Sequence, residues 1–513
     1  MELQNVEYAG AFSGSVPGPP LLARESTPTG SGRYESHPGW SDHARHWEAG
    51  ETHRLNEAHW QRATDSDIND WLRGQLGTLR TRALYETRQN PTLAGIAQTL
   101  AEDVVGPAGP QLNVQSDDQE YDQAAEEVWR RWWRAPTFRG DLSGPSLLKL
   151  WIRNLPRCGE FLALIETDRD ADGPVQMRLR PLPPRRLDTP PHASGDPRHV
   201  LGVELDSKDR PVRYWIKERD GYGYRHDPWP ADLVIHNFMF DEEGQARGFP
   251  WFTPSLESVA DLRDYDVSVQ QAARRGADHN GMFYTDREDA TLWTVPESTT
   301  LEPGTINMAP PGWKPFAFPA VQPAAQYPDY RGERQRDAGR PFNMPLLMIR
   351  LDASKHNYSS ARLDTQSWDR TVAGVQLWVS GSPVQAGTLN QLVDLVLQEA
   401  KFSDEFRILR RKPRKVEKLW IWTPRGHVDP NKEAKAETEG LTNRTESFGD
   451  ALAARGRNLD QHIRRLAREE AALRAAGITP PAWMTGGVRA AEAPATPSDV
   501  DEAVEDAAEE APA

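Results

Sequence analysis

Two kinds of hydrophobic spacing follow one another along this chain, and together they restrict its fold to a mixture of helices and sheets. Apolar residues recur at helical intervals over 66–104 and 121–134, and Asn90-Pro91 divides the first stretch, because proline disfavours helical backbone in the residue before it. Between 160 and 240 the pattern changes to short apolar runs rich in β-branched and aromatic residues. Helical spacing then returns, so the sequence predicts an α+β fold.

The short apolar runs define the predicted strands, and residues that favour turns separate them. The segment 207–210, which precedes Pro211, predicts a hairpin loop between two of these strands. Further short extended pieces are predicted within 281–318. The predicted strands of the main run are Phe161–Glu166, Val175–Pro181, Val200–Asp206, Val212–Lys217 and Leu233–Phe240.

One predicted helix, Pro254–Ala277, carries apolar residues on two sides. Leu262 and Val269 lie along one side, whereas Leu256 and Val259 lie along another. Because an apolar helix face must be covered, this helix needs packing partners on both sides.

Three later helices have a single apolar stripe. Their stripes are Trp368, Val372, Val375 and Val379 over about 360–379; Leu389, Leu392, Val393, Val396 and Ala400 in the next helix; and Leu459, Ile463, Leu466 and Leu473 over about 458–476.

Length and composition exclude several classes of protein. The chain has 513 residues, enough for roughly three domains, and a single cysteine, which cannot form an internal disulfide. No run approaches the roughly 18 consecutive apolar residues of a membrane-spanning helix. The start lacks the basic and apolar regions of a secretory signal, so we expect an intracellularly made protein without a membrane partner. Only 37% of residues are hydrophobic, yet 18 are Trp, which favours a subunit that buries surface against other subunits.

The formal charge of −15 is unevenly distributed along the chain. Glu492–Glu510 contains eight acidic residues and no basic one, and its Ala, Pro and acidic composition predicts disorder. A basic stretch over 407–418 contains seven Lys or Arg residues. Nucleic-acid binding is one interpretation of this stretch, and a solvated surface or an inter-subunit salt bridge is the favoured one.

Motifs of familiar enzymes are absent from the sequence. No P-loop, H-E-x-x-H, G-x-S-x-G or paired C-x-x-C occurs, so we predict no catalytic residue, no cofactor and no metal. Asp168–Gly173 resembles the start of an EF-hand loop, but position 12 is Leu179 and strands flank it, so a hairpin turn is favoured over a calcium site. We interpret His236 as a satisfied core or interface histidine rather than a ligand or base, and Cys158 as a buried structural thiol.

Six segments, in the expected order, resemble motifs of the lambda-type portal proteins of tailed bacteriophages. The first is Thr81–Pro91 leading to Val104-Val105-Gly106, similar to the family's R-x-L-x-R-N-N-P and V-V-G-x-G, with Gln89 in place of the first Asn and Pro107 after the Gly. The other five are Cys158-Gly159-Glu160 before a strand; Gly202–Asp206 with Arg210–Trp215; His236 followed by Gln245–Trp251; Asn357–Arg362 (NYSSAR); and Val428–Glu433 (VDPNKE).

The resemblance implies a portal fold with a β-rich wing, a helical stem, a small α/β clip and a helical crown, assembled as a ring. The order of elements then assigns the parts of the chain. They are a flexible N-terminal segment, 1–60; the wing, 61–252; the first stem helix, 253–278; the clip, 279–318; the second stem segment, 319–349; the tunnel loop, 350–358; the tunnel helix with its return to the wing, 359–426; the helical crown, 427–480; and a disordered acidic tail, 481–513.

The resemblance also implies a function without catalysis. Portal subunits form a ring, twelve-fold in assembled heads, at one capsid vertex, and double-stranded DNA passes through its channel, independently of sequence, during packaging and ejection. The implied partners are other copies of the chain, DNA, the major capsid protein, the terminase large subunit and a head–tail adaptor protein. The implied location is the portal vertex of the virion, with the host cytoplasm during assembly.

The tunnel loop and the clip supply the candidate site residues. Transient phosphate contacts are expected from Arg350, Lys355 and His356, beside Asn357 and Tyr358, and the alternative for each is an exposed loop residue or an inter-subunit salt bridge. Ser359, Ser360, Ala361 and Arg362 form the family motif at the start of the tunnel helix. The residues expected to dock terminase and adaptor are the clip aromatics Phe283, Tyr284, Trp293 and Trp313.

Two other functions stay open at this point. One is a different head-completion or scaffold component of the capsid. The other is a metal-dependent enzyme that processes nucleic acid, which would need a cluster of carboxylates in one cleft.

Overall fold

The computed structural model describes residues 63–277, 281–284, 314–317, 326–354, 358–382, 387–424 and 430–479. The chain divides into two compact units, residues 1–65 and 66–513, and all elements named below belong to the second. Helices and antiparallel strands are mixed throughout the described ranges, which confirms the predicted mixture of helix and sheet. The predicted flexible segment 1–60 and the predicted acidic tail 481–513 lie outside the described residues.

Four helices form the first part of this unit, and the predicted boundary at Asn90-Pro91 is confirmed. The Asn90 side chain accepts a hydrogen bond from the Thr92 N–H, and Pro91 occupies the first helical turn, where its missing N–H has no cost. Gly106, at φ +70°, ends the second helix. The four helices are α1 (Ile68–Gln89), α2 (Pro91–Val105), α3 (Gln119–Trp133) and α4 (Gly144–Cys158).

A three-stranded sheet has β2 (Glu160–Thr167) at its centre. The strands β3 (Met177–Leu182) and β8 (Val234–Phe238) pair with it on either side. Because elements cover both faces of β2, its first six residues are all buried. The acidic segment Asp168–Gly173 lies in the hairpin that joins β2 to β3, as predicted, and the Asp168 side chain accepts the N–H of Asp170.

A second sheet has four strands in sequential order: β4 (His199–Val200), β5 (Val203–Leu205), β6 (Pro211–Asp220) and β7 (Gly223–Pro230). The prediction of one strand over Val200–Asp206 is wrong. Leu201 and Gly202 have φ values of +51° and +90°, so a tight turn separates β4 from β5. The hairpin loop predicted over 207–210 is confirmed, because β5 and β6 pair directly across it.

A two-stranded ribbon joins distant parts of the chain. β1 (Gln111–Ser116) pairs with β11 (Val416–Ile421) through six residue pairs. The ribbon packs on α3, where Trp129 lies 4.8 Å from Trp133 and 5.5 Å from Trp420, measured between ring centroids. This aromatic cluster holds the late segment of the chain against the early one.

The middle of the chain contains α5 (Leu256–Ala277), β9 (Gly281–Tyr284), β10 (Lys314–Ala317), α6 (Tyr327–Gly339) and α7 (Leu346–Arg350). β9 and β10 pair with each other, so the two ends of the intervening segment are adjacent. The remaining helices are α8 (Tyr358–Ser380), α9 (Thr388–Ala400), α10 (Pro430–Thr442), α11 (Phe448–Ala454) and α12 (Leu459–Ala475).

The predicted apolar stripes differ in how they are covered. All four stripe residues of α8 and all five of α9 are buried, as predicted. α12 has the predicted helix, but none of its residues is buried within the subunit, and Ile463 is half exposed. The main core includes α2, α4, α8 and α9, and a smaller core lies between the two larger sheets, around Leu164, Ile216 and Val234.

Candidate functional site

The predicted tunnel loop connects α7 to α8. The structure describes residues 350–354 and α8 from Tyr358, whereas Lys355, His356 and Asn357 lie outside the described residues. Leu351 ends α7 in a left-handed conformation, at φ +52°, with 81% of its surface exposed. Asp352–Ser354 are also exposed, so the described start of the loop faces solvent.

Arg350 differs from the rest of the loop because its side chain is half-buried against α6. Its Nε donates a hydrogen bond of 2.5 Å to Oε1 of Gln335, which in turn donates to the Thr92 hydroxyl. Gly332 provides the space for this guanidinium, since a Cβ there would lie 3.1 Å from Nη2. Arg350 therefore fastens α7 to α6 within the subunit.

The other predicted site residues fall at the ends of described elements. Ser360 and Ala361 are half-buried in the first turn of α8, and Arg362 is exposed there. In the predicted clip, Phe283 and Tyr284 belong to β9, and the Tyr284 ring is partly exposed with the Lys314 ammonium 6.0 Å from its centroid. Trp293 and Trp313 lie outside the described residues.

α5 and α6 form an antiparallel pair, and the β9–β10 ribbon lies between them in the sequence. Near the ribbon, the Tyr327 hydroxyl of α6 donates a 2.7 Å hydrogen bond to the Asp266 carboxylate of α5. At the other end, Ser255 just before α5 donates to the carbonyl of Asp337. These two contacts show that the helices run in opposite directions along each other.

Four charged or polar side chains meet in the interior of the region predicted to be the wing. Glu160, at the start of β2, accepts hydrogen bonds at its Oε1 from Arg247 (2.7 Å) and lies 2.7 Å from Nη2 of Arg80. Its Oε2 accepts a 2.8 Å bond from the Gly248 N–H and lies 3.0 Å from Nε2 of His236. All four side chains are 8% exposed or less. We call Glu160, Arg80, Arg247 and His236 the wing network.

The electrostatics of the wing network follow from burial opposed by its cations. Burial alone would raise the pKa of Glu160, but Arg247, Arg80 and His236 hold that pKa well below its usual range. Burial lowers the pKa of His236, and Glu160 opposes this shift only in part. Burial also lowers the pKa of Arg80 to about 10, which leaves it protonated at neutral pH. The single carboxylate of Glu160 is thus the ion-pair partner of two guanidinium groups, those of Arg80 and Arg247.

Arg247 connects the wing network to the loop before β4. Its guanidinium also donates to the carbonyls of Pro184, at 2.9 Å, and of Leu201. The Leu201 carbonyl belongs to the turn with positive φ that separates β4 from β5. Arg247 therefore ties the three-stranded sheet to the four-stranded sheet.

Close backbone approach around the wing network requires glycine. Gly159 has a φ of +84°, and a Cβ there would lie 2.1 Å from the carbonyl oxygen of Phe249. Gly248 packs in the same way, since its Cβ would lie 2.3 Å from the carbonyl oxygen of Gly159. The Arg80 guanidinium then donates to the Cys158 and Gly248 carbonyls. Three segments quoted from the sequence motifs, around 158–160, 236 and 245–251, thus converge here.

Glu160 and Arg247 belong to two of the sequence motifs, but the motifs predict no role for either residue. The sequence analysis does not predict Arg80 as a site residue. A signal for Arg80 was present, because it follows Leu72 and Leu76 at four-residue intervals on the buried side of α1. The predictions for His236 and Cys158 are confirmed as a satisfied core histidine and a buried thiol.

The basic stretch 407–418 is largely ion-paired within the subunit. Arg411 contacts Asp118 at 2.9 Å and Glu120 at 3.0 Å, and Lys418 contacts Asp394 at 2.6 Å. Arg407 and Lys415 also have carboxylate partners close by in sequence. These carboxylate partners belong to the same chain, whereas the predicted salt bridge is between subunits. The side chains of Arg407, Arg411 and Lys415 are more than half exposed, which favours a solvated, ion-paired surface over nucleic-acid binding.

Within the described ranges, no group of three or more His, Cys, Asp or Glu side chains is arranged to hold a metal ion. No described helix combines the length and apolar content needed to cross a bilayer.

Two comparisons with known proteins, a family model and a relative, indicate the same class of protein. A family model described as "Phage portal protein, lambda family" matches residues 53–376. A relative described as a probable portal protein of Halomonas phage phiHAP-1 is 22% identical over 464 residues, covering 83% of this chain and 86% of the relative. Among solved structures, a chain from the neck of an empty gene transfer agent particle is 14% identical with a TM-score of 0.43, over 72% of this chain and 90% of that chain. An HK97 family phage portal protein from Corynebacterium diphtheriae is 11% identical with a TM-score of 0.28, over 55% of this chain and 82% of that chain.

Proposed function

The chain belongs to the lambda family of phage portal proteins, and we propose that it assembles into a ring around a channel for DNA at one vertex of a capsid. It is the portal protein of a tailed phage or a phage-like particle, with a structural and not an enzymatic role. The proposed ring is twelve-fold in the head, and double-stranded DNA passes through it, independently of sequence, during packaging and ejection.

The antiparallel pair of α5 and α6 is the observation that carries this proposal. Two antiparallel helices with a strand ribbon between them in the sequence suit a stem that ends in a clip. We assign 253–278 and 319–349 to the stem, 279–318 to the clip, 61–252 to the wing and 427–480 to the crown. The tunnel loop, 350–358, then follows directly from the stem.

Exposed apolar side chains support assembly with other copies of the chain. Val267 on α5, Leu363 and Leu377 on α8 and Ile463 on α12 are each between 47% and 67% exposed. A closed ring needs two different complementary surfaces on each subunit, unlike a dimer with one self-complementary surface. Helices that expose apolar residues at several separate places meet this requirement.

The tunnel loop is the proposed site of contact with DNA. Lys355 and His356, with Asn357 and Tyr358 beside them, follow an exposed run of the loop, 351–354. Cationic side chains on such a loop would meet phosphates sparsely, which suits transport because strong binding would oppose movement of the DNA. Arg350 would influence the contact with DNA only indirectly, because its guanidinium is bound to Gln335 at the base of the loop.

The clip is the proposed docking site for the terminase large subunit and, later, for a head–tail adaptor. Its candidate residues are Phe283, Tyr284, Trp293 and Trp313, of which the first two lie in β9, and the Tyr284 ring is partly exposed. Aromatic side chains suit such a role because they bury large areas at interfaces. The major capsid protein would contact the outside of the ring, after assembly in the host cytoplasm.

Electron microscopy of the purified full chain tests the ring. We expect particles with rotational symmetry and a central hole. Monomers, filaments or closed shells would instead favour a different head component, such as a scaffold. A cleavage assay on the same preparation addresses the enzyme alternative, and metal-dependent cutting that single Asp substitutions abolish would contradict a purely structural role.

A further inference from the structure

A cavity of about 430 Å³ lies between α1 and the segment 183–201 of the wing. Four arginines line it: Arg73 and Arg80 from α1, Arg185 from the segment before β4, and Arg247 from the wing network. Arg73 and Arg185 are exposed at its rim, and neither forms an ion pair with another residue of the described ranges. The cavity therefore presents a concentration of positive charge.

Neutralising groups near these arginines are too few. Arg80 and Arg247 share one carboxylate, that of Glu160. The acidic residue in the lining, Asp188, is already bound to Lys217 at 2.7 Å and to His226 at 3.1 Å. An anionic ligand would supply the missing negative charge, and partial burial would strengthen its attraction to the arginines.

Apolar side chains form part of the remaining lining, beside Thr81, Thr189, Ser194 and His199, and they limit the kind of anion that fits. Leu72, Leu76 and Leu187 are all at most 5% exposed and contribute to the cavity wall. A ligand that combines carboxylates with small apolar groups would match both parts of the lining. A cavity of this size accommodates a few residues of a peptide rather than a folded domain.

We propose that this cavity binds the acidic C-terminal segment of the chain, centred on residues 498–506. That stretch, SDVDEAVED, places Val500 and Val504 among five carboxylates, and no basic residue occurs between Glu492 and Glu510. By contrast, residues 1–62, the other terminal segment outside the structure, contain five arginines among eight acidic residues. Charge complementarity therefore favours the C-terminal segment.

A long segment of the chain follows α12 and leads to the acidic stretch. The described residues end at 479, so about twenty residues precede 499, and they span up to about 65–70 Å when extended. The contact would be weak and sensitive to salt, because it relies on charge at a partly exposed cavity. Screening shortens the Debye length from about 10 Å at 0.1 M salt to about 3 Å at 1 M.

A fluorophore on Ala503→Cys in the full-length protein tests the proposal through the rotational mobility of the dye. The parent protein, whose single cysteine is the buried Cys158, measures background labelling. We expect restricted mobility at low salt, lost in the rim variant Arg73→Glu/Arg185→Glu and at 1 M salt. The control Arg82→Glu/Arg88→Glu makes the same charge change at exposed positions of α1 outside the cavity and should keep the restriction. Equal mobility of the dye in the Ala503→Cys protein, in its rim variant and in its control variant would overturn the proposal.

Hydrogen exchange identifies the occupant. Residues 72–84 and 183–189 should be protected in the full chain and lose protection when the eight acidic residues of 492–510 become Asn or Gln. If protection survives that change but disappears in the rim variant, another occupant holds the cavity and the proposal fails. Inorganic phosphate then tests whether that occupant is a small anion, and deletion of 1–62 tests the N-terminal segment.

Discussion

The polar groups of the wing network find their partners within one subunit, whereas apolar side chains of the helices assigned above to the stem, tunnel and crown are left exposed. Glu160 accepts bonds from four groups with its side chain wholly buried, while Leu363 of α8 and Ile463 of α12 are half exposed or more. The sequence motifs around 160 and 247 therefore serve the fold of the single chain. The motif at 357–362 lies where contacts beyond the subunit are expected.

The largest loss of stability should come from removing a partner in the wing network. Arg247→Met leaves Glu160 short of its main cation and frees the carbonyls of Pro184 and Leu201. We expect unfolding free energy to fall by about 3–5 kcal/mol, the usual cost of breaking a buried ion pair. Chemical denaturation measures it.

The control for that measurement is Arg198→Met, which removes an exposed ion pair with Asp196. We expect little change there, because exposed pairs contribute little. Similar losses in the two variants would mean that burial does not set the importance of the wing network.

Glu160→Gln should be nearly as damaging, and it should change the response to acid. The folded pKa of Glu160 lies well below its usual value of 4.5, so this group stabilises the fold above about pH 4.5 and loses that contribution as pH falls further. The wild type should therefore lose stability between about pH 5 and 3 more steeply than the Gln variant. Thermal melts across that range measure the slope. The exposed control Glu243→Gln should keep the wild-type slope.

Gly159→Ala should cost more than an alanine at a comparable glycine elsewhere. Left-handed backbone alone penalises a non-glycine residue by about 1–2 kcal/mol. At Gly159 the new Cβ would also overlap the Phe249 carbonyl, whereas Gly140 has a similar φ of +68° with no atom within 4 Å. Melting temperatures of the two variants separate these effects, and equal losses would show that the close approach to Phe249 has no cost.

A smaller effect is expected in the stem. Tyr327→Phe removes the hydrogen bond to Asp266 and should lower the unfolding free energy by about 0.5–1 kcal/mol, because the hydroxyl is near the surface. Tyr330→Phe is the matched control, since its ring contacts Tyr265 and that contact needs no hydroxyl. If denaturant titration finds Tyr330→Phe to be the more damaging change, the hydrogen bond does not hold the two helices together.

Lys355→Glu should have the smallest effect on stability and the largest on transport of DNA. A charge reversal in the tunnel loop should leave melting and ring formation unchanged while packaged DNA decreases, because the loop would then repel phosphates. Lys208→Glu, at an exposed turn of the wing, makes the same charge change away from the loop. Normal packaging by Lys355→Glu would exclude Lys355 as a contact for DNA.

Sequence patterns correctly predicted those helices and boundaries that depend on residues close together in the chain. The boundary at Asn90-Pro91 and the buried stripe of α8, including Trp368, follow from the chemistry of neighbouring residues. α4 was missed, although Trp151, Ile152 and Leu155 have helical spacing, and Pro156 near its end weakens the pattern. The stripe of α12 predicted a helix correctly but could not show that none of its residues is buried within the subunit.

Long-range contacts could not be predicted from such patterns. Glu160 and Arg247 are 87 residues apart, and nothing local shows which acid meets which arginine. The tight turn at Leu201-Gly202 has a long-range contact of its own, because the Arg247 guanidinium donates to the Leu201 carbonyl. The candidate cavity has the same origin, since its arginines come from three separate segments.

The ribbon of β1 and β11 determines when this protein can finish folding during its synthesis. Residues 117–415 are translated between the two strands. At about 5–20 residues per second, a ribosome takes about 15–60 s over that interval. Until then, β1 has no partner strand and the tryptophans of α3 lack Trp420, so the nascent chain exposes an unpaired edge and an aromatic surface. Newly made subunits would therefore depend on chaperones or rapid translation to avoid joining one another wrongly before they can form a ring.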